Sequence, residues 1–296
     1  MPLIHTRAFR VRYHECDAYG HVNNVNYLRY MQEAAFDASA SAGYDFGRYA
    51  AMNRWWLVRQ TEVEYRQPAR YGDTIEVATW VMDFQRVRSR RRYELRSARS
   101  GQMVATGVTD WVFADATTGR PVPVPEEMVA AFFPEGYSGE PPPRQRFPSP
   151  PSAPPGLFRA RRRVAWSDID SAQRVNNTTY MTYVEDCGMR VLAAHGWSVP
   201  RMSAEGFGMV LRRHLIEHLQ AAVLDDELEI STWVTEVRRA SATRHYAITR
   251  LSDGALVARV NTEAAWVDLA TGRPIRIPER FLADFASNTS AAAPGG

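Results

Sequence analysis

Asp17, His21, Asn23 and Asn24 lie within one short polar segment, Asp17-Ala18-Tyr19-Gly20-His21-Val22-Asn23-Asn24, which runs directly into residues with helical spacing. A helix N-terminus carries unpaired backbone N–H groups and a partial positive charge. Those groups can keep a nearby carboxylate ionised, or stabilise the oxyanion formed when a carbonyl is attacked. A carboxylate beside them can attack a carbonyl carbon itself, or orient and deprotonate a water that does so. Each residue also has a plainer reading. Asp17 could simply form the turn, Asn24 could cap the helix, and Asn23 and His21 could brace the loop. Cys16 faces Ile169 in the internal repeat described next, which favours packing over nucleophilic chemistry.

The segment returns. Residues 10–34 recur as residues 163–187 at a fixed offset of 153, with Asp17/Asp170, Asn23/Asn176, Asn24/Asn177, Tyr27/Tyr180 and Tyr30/Tyr183 identical. The register persists through Thr79-Trp80-Val81 against Thr232-Trp233-Val234, and through Thr118-Gly119-Arg120-Pro121 against Thr271-Gly272-Arg273-Pro274. One domain has been duplicated and fused. The copies differ where chemistry is at stake: Gly20 becomes Gln173 and His21 becomes Arg174. Copy two thereby gives up a permissive backbone position and the imidazole. Asp17 is the expected main carboxylate, and Asp170 a second, weaker site or a relic of the turn.

The positioning elements follow from periodicity. Tyr27, Tyr30, Met31, Ala34, Ala35, Ala38 and Ala42 form one buried helical stripe that stops at Gly43, and Tyr180 to Leu192 repeat it. Ala8–Tyr13, Trp55–Tyr65, Thr74–Phe84, Val87–Ala98 and Met103–Phe113 read as strands, and Pro-rich stretches then lead into short helices. One strand, one long helix and four strands joined mostly by short turns call for an antiparallel sheet curled around a central helix. The predicted class is α+β, with two tandem hotdog domains forming an intramolecular pseudodimer. Their expected extents are 1–133 and 161–286, separated by a linker at 134–160 and followed by a disordered tail at 287–296. Nine of the chain's eighteen prolines fall in residues 133–160, as expected of an extended linker.

All 36 basic side chains of the 296-residue chain are arginines, which excludes lysine Schiff-base, general-base and P-loop chemistry. A net charge of +3 is too mild to argue for nucleic acid. Arg90, Arg91 and Arg92 sit in a dense arginine run, which reads either as a solvated strand face or as a docking site for phosphates or an acidic partner. No apolar stretch approaches a membrane span, and no His/Cys/Asp cluster has metal-ligand spacing. Two dissimilar cysteines point to a reducing compartment, so a cytoplasmic protein without membrane association, metal or cofactor is expected.

VRYHECDAYGHVNNVNYLRYMQEA resembles the signature of hotdog acyl-CoA thioesterases of the 4-hydroxybenzoyl-CoA thioesterase type. AWSDIDSAQRVNNTTYMTYVED is similar to the motif of the catalytic half of fatty acyl-ACP thioesterases, although Arg174 stands where that family carries histidine. The resemblance implies hydrolysis of an acyl thioester carried on CoA or acyl carrier protein. Asp17 would be general base or nucleophile, His21 and Asn23 would line the site, and amides near Asn24 and Val25 would form the oxyanion hole. Tyr27, with Tyr30, Met31, Trp55 and Trp56, could line an acyl tunnel or simply belong to the core. A hotdog hydratase or dehydratase, and a non-catalytic acyl-thioester binding module, are the rival readings. Association of the fused pair into a larger homo-oligomer is left open.

Overall fold

The computed structural model describes residues 1–137 and 143–290, and the expected linker and tail residues at 138–142 and 291–296 lie outside them. The chain divides into two compact units, Met1–Arg146 and Phe147–Gly296. In unit one, β1 (His5–Arg10) leads through a 3-10 turn (Tyr13–Glu15) into α1 (Asn24–Ser41) and α2 (Phe46–Ala51). β2 (Arg54–Tyr65), β3 (Thr74–Gln85), β4 (Arg88–Ser97), β5 (Met103–Asp115) and α3 (Glu126–Phe132) follow. The strands pair antiparallel in the order β1-β3-β4-β5-β2. Unit two repeats the plan with β6 (Phe158–Arg163), a 3-10 turn (Trp166–Asp168), α4 (Thr179–Ala194) and α5 (Val199–Ala204). It continues with β7 (Phe207–His218), β8 (Glu227–Val237), β9 (Ser241–Arg250), β10 (Leu256–Asp268) and α6 (Glu279–Asp284), in the sheet order β6-β8-β9-β10-β7.

Each unit is a hotdog: α1 packs on β1 and β3, and α4 on β6 and β8. The predicted stripe of α1 is buried from Tyr27 to Ala38, with Ala42 half-buried just past the helix, and alternate residues of β3, Ile75, Val77, Thr79 and Val81, are buried with it. The helix comes close because Gly107 of β5 has no side chain. A Cβ there would stand 2.5 Å from Met31 Cε and 3.1 Å from the Glu62 carbonyl oxygen.

Four local features depart from the sequence reading. β1 ends at Arg10 rather than Tyr13, because the Glu15 carboxylate accepts the Arg12 N–H at 2.7 Å and bends the chain into the 3-10 turn. α2 and α5 were not anticipated, although their caps were visible: Asp45 accepts the Arg48 N–H at 2.8 Å and Ser198 the Arg201 N–H at 3.4 Å. β6 starts at Phe158, inside the expected linker. Residues 287–290 are held in place rather than disordered: the Asn288 amide donates to the carbonyls of Gly156 at 2.9 Å and Thr232 at 3.0 Å, and the Ser290 N–H to Val234 O at 2.9 Å.

Candidate active site

Before the reactive loop comes its anchor. The buried Glu15 carboxylate receives the Arg12 N–H, the Arg12 guanidinium and the Tyr30 hydroxyl, the last at 2.8 Å. Burial alone would raise the Glu15 carboxyl, but these donors outweigh it and hold it below the usual carboxylate range. The Glu15 carbonyl accepts the Asn23 N–H at 2.8 Å and the Asn26 side-chain amide at 2.9 Å, which ties the 3-10 turn to the start of α1. Asp168 plays the same part in unit two, accepting the Ala165 N–H at 2.9 Å and facing Arg162 and Tyr183. The sequence reading missed this anchor, although an acidic residue at the same repeat position, two before Asp17 and Asp170, was its signal.

From that base residues 16–22 form a small hairpin, closed by the Cys16–Val22 bridge and by an Asp17 N–H bond to His21 O at 2.8 Å. Its tip needs a left-handed residue, and Gly20 supplies it with φ +74°. The Asp17 carboxylate is half-buried, and its Oδ1 accepts the N–H of Tyr19 at 2.9 Å and of His21 at 3.2 Å. Oδ2 has no hydrogen-bond partner among the described residues. One oxygen is thus fixed by the loop while the other remains open to a water or a carbonyl carbon.

His21 closes the hairpin opposite Asp17 and is bridged through its backbone to Arg70. Burial and then the Arg70 guanidinium push its imidazole below the ordinary range, with Asp17 acting in the opposite sense, so the ring is neutral at pH 7. Its Nε2 is buried and unpartnered among the described residues.

At the helix start the cap is Asn23, not Asn24: Asn23 Oδ1 accepts the Val25 N–H at 3.0 Å. Val25 is therefore not available as an oxyanion donor. The Asn24 N–H donates to nothing among the described residues, and the Asn24 carbonyl accepts the Tyr65 hydroxyl at 3.2 Å. Of the two amides expected there, Asn24 alone can meet a developing oxyanion.

Three expectations need correcting. Tyr27 is not an accessible substrate contact. It is 2% exposed, its hydroxyl accepts the Ala69 N–H at 3.3 Å, and burial raises it to about 12. Tyr180 does the same for Ala222 at 3.1 Å, so this duplicated tyrosine braces the loop after β2 or β7. Arg90 and Arg91 are buried as well and cannot meet substrate phosphates at the surface. Arg90 grips Asp83, with Nε to Oδ2 at 2.7 Å, whereas Arg91 lies on the helix side of β4 over the Phe132 ring. Arg92 is half-buried in β4. Strand alternation explains Arg91, which shares the inward face with Ser89 and Tyr93, whereas Arg90 on the opposite face is covered through its pairing with Asp83 at the register shift of β3. Trp56 belongs to the core, donating from Nε1 to the Tyr49 hydroxyl at 3.0 Å.

Unit two keeps the hairpin more faithfully than its sequence promised. Gln173 adopts the left-handed conformation of Gly20, at φ +58°, and the Asp170 N–H reaches Arg174 O at 2.9 Å. Asp170 differs from Asp17 in its oxygens: Oδ1 accepts the Ala172 N–H at 2.9 Å, and the Asn176 amide approaches Oδ2 at 3.5 Å. Neither cysteine competes as a nucleophile. Burial raises the Cys187 thiol to about 12, and half-buried Cys16 turns its sulfur toward the Arg12 carbonyl at 3.9 Å. Among the described residues no group of acidic, histidine or cysteine side chains could hold a metal, and no helix is long and apolar enough to cross a membrane.

Two hotdogs in one chain, each with a carboxylate-bearing hairpin ahead of its central helix, define a tandem acyl-thioesterase-like architecture. The chain belongs to the thioesterase-like superfamily, whose sequence profile matches residues 11–132 and again residues 164–285. Over 279 residues it is 24% identical to a chloroplastic palmitoyl-acyl carrier protein thioesterase of Arabidopsis thaliana, covering 88% of this chain and 64% of that protein. One copy's length matches the acyl-CoA thioester hydrolase YbgC of Escherichia coli, 29% identical over 129 residues, which is 44% of this chain and 96% of that one. Among solved structures, the 12:0-ACP thioesterase of Umbellularia californica superposes with a TM-score of 0.69 at 20% identity, covering 88% of this chain and 93% of that one. The chain spans about half to two thirds of the length of the plant relatives it matches.

Proposed function

We propose that the protein hydrolyses an acyl thioester, carried on CoA or on acyl carrier protein, to the free acid and the thiol. The observation that carries this reading is the Asp17 carboxylate, with Oδ1 fixed by two loop N–H groups and Oδ2 open, on a hairpin anchored to the start of α1. Asp17 serves as general base toward water, or attacks the thioester carbonyl itself. The Asn24 N–H, aided by the N-terminal field of the 18-residue α1, receives the oxyanion. Neutral His21, beside Asp17, lines the site and can carry the proton to the departing sulfur. Asn23 acts by capping the helix and so aiming the Asn24 amide. Asp170 is a weaker second site. Relatives named as acyl-carrier-protein and acyl-CoA thioesterases support the substrate class.

The test is thiol release from a panel of short, long and aromatic acyl-CoAs and acyl-carrier thioesters. Asp17→Ala is expected to remove most of the activity and Asp170→Ala to leave most of it. Absence of thiol release across the panel would overturn the reading, and the reverse pattern between the two variants would move the main site to unit two.

A further inference from the structure

An exposed aromatic ring stands at the same place in both copies, on the 3-10 turn just before the carboxylate hairpin: Tyr13 is 82% exposed and Trp166 is 73% exposed. What surrounds them differs. In unit one Tyr71 meets Tyr13 edge to face, with ring centroids 6.0 Å apart, and the Arg10 guanidinium lies over Tyr71 at 5.7 Å. Arg70, whose backbone pairs with His21, and exposed His14 stand on the same two turns. Neither Arg10 nor Arg70 forms an ion pair with any described residue. In unit two the positions of Tyr71, Arg70 and His14 hold Leu224, Val223 and Ser167. The arginine matching Arg10, Arg163, is neutralised by Asp225 at 2.9 Å, where unit one has Gly72.

An open aromatic face beside two guanidinium groups that have no carboxylate partner among the described residues has the composition that takes a nucleobase and phosphates. We propose that Tyr13, Tyr71, Arg10 and Arg70 dock the phosphorylated adenosine end of CoA at the rim of the Asp17 hairpin, and that unit two has no counterpart. The inference rests on the thioesterase reading and chooses CoA over carrier protein as the substrate this corner serves. Two rings and two guanidiniums on adjoining turns match the scale of a nucleotide, whereas a carrier protein would press on a broad surface.

Two measurements on the intact chain test it: calorimetric titration with CoA, and hydrolysis of one acyl group offered on CoA, on pantetheine and on acyl carrier protein. Loss of one base-stacking contact corresponds to about a tenfold change in affinity, so Tyr13→Ala is expected to weaken CoA binding and raise KM for acyl-CoA by about that factor. It should leave kcat and the acyl-pantetheine KM unchanged. Tyr13→Trp should keep the affinity, and Trp166→Ala should match the parent chain. Unchanged CoA affinity in both Tyr13→Ala and Arg10→Ala overturns the proposal, as does a KM increase confined to the carrier-protein substrate. If no thioester is cleaved but CoA still binds in a Tyr13-dependent way, the docking corner stands and the hydrolytic reading falls.

Discussion

Under the proposed mechanism Asp17 has two jobs, and Asp17→Asn separates them. The carboxylate holds the hairpin through Oδ1, which accepts two backbone N–H groups at 2.9 and 3.2 Å, and it offers Oδ2 to the reaction. Asparagine keeps an oxygen acceptor at the first position and removes both the charge and the basicity. Alanine removes everything. Each hydrogen bond to a partly solvated acceptor contributes about 1 kcal/mol, so Asp17→Ala should cost about 2 kcal/mol of stability and Asp17→Asn less than about 1. A positioned general base contributes roughly 100- to 10,000-fold in rate, so Asp17→Asn should lower kcat by at least about 100-fold while the protein melts almost where the parent does. Thiol release monitored with a chromogenic thiol reagent, together with a urea titration of each variant, reads both quantities. Were the asparagine variant to keep more than about a tenth of the parent kcat, Asp17 would be a turn-forming residue and no base.

His214 is buried in β7 and accepts from or donates to the Thr262 hydroxyl at 2.9 Å, and burial depresses it to about 3. Between the ordinary value of 6.5 and about 3 the unfolded chain binds a proton that the folded chain refuses. Stability should therefore fall as pH drops through that window, by up to about 1.4 kcal/mol per pH unit, and His214→Thr, which copies the Thr61–Thr109 pair of unit one, should flatten the slope in urea titrations. Gln173→Gly relieves a left-handed side chain at φ +58° and should stabilise unit two by at most about 1 kcal/mol, because glycine also loosens the unfolded chain; a lower denaturation midpoint would contradict the strain argument. Asp83 is fully buried between Arg90 and Arg144, so Asp83→Ala leaves buried guanidinium charge and should destabilise by about 3–5 kcal/mol, whereas a melt unchanged from the parent would show that water or another acceptor replaces it.

The repeat made the architecture legible, because a fixed offset turns every turn signal and helical stripe into two independent observations. Tyr27 and Tyr180 illustrate where that reading stops. Their identity marked them as meaningful, but only the three-dimensional path places their hydroxyls against Ala69 and Ala222, and so assigns them to loop bracing. The arginines of β4 fail for a sharper reason. Sequence reports that Arg88, Arg90, Arg91 and Arg92 are near one another, whereas the pleat sends Arg91 inward to Phe132 while Arg90 pairs with Asp83 at a register shift of β3. Both α2 and α5 escaped because six-residue helices carry too little periodicity, although Asp45 and Ser198 mark their starts.

Comparison of the two copies argues for division of labour more strongly than either motif does alone. A hairpin needed only for folding has no reason to keep its carboxylate half-satisfied, and unit one does: Asp17 Oδ2 is open, where Asp170 Oδ2 is approached by Asn176. The left-handed tip points the same way. Unit two retains it at the cost of a strained glutamine, so the turn itself is structural, and what differs is the chemistry around it. His21 bridged to Arg70 becomes Arg174 with Val223, and Arg10, which has no ion pair among the described residues, becomes the neutralised Arg163. Those changes remove an imidazole and an unpaired guanidinium charge together, the pattern expected if the proposed CoA docking corner serves unit one alone.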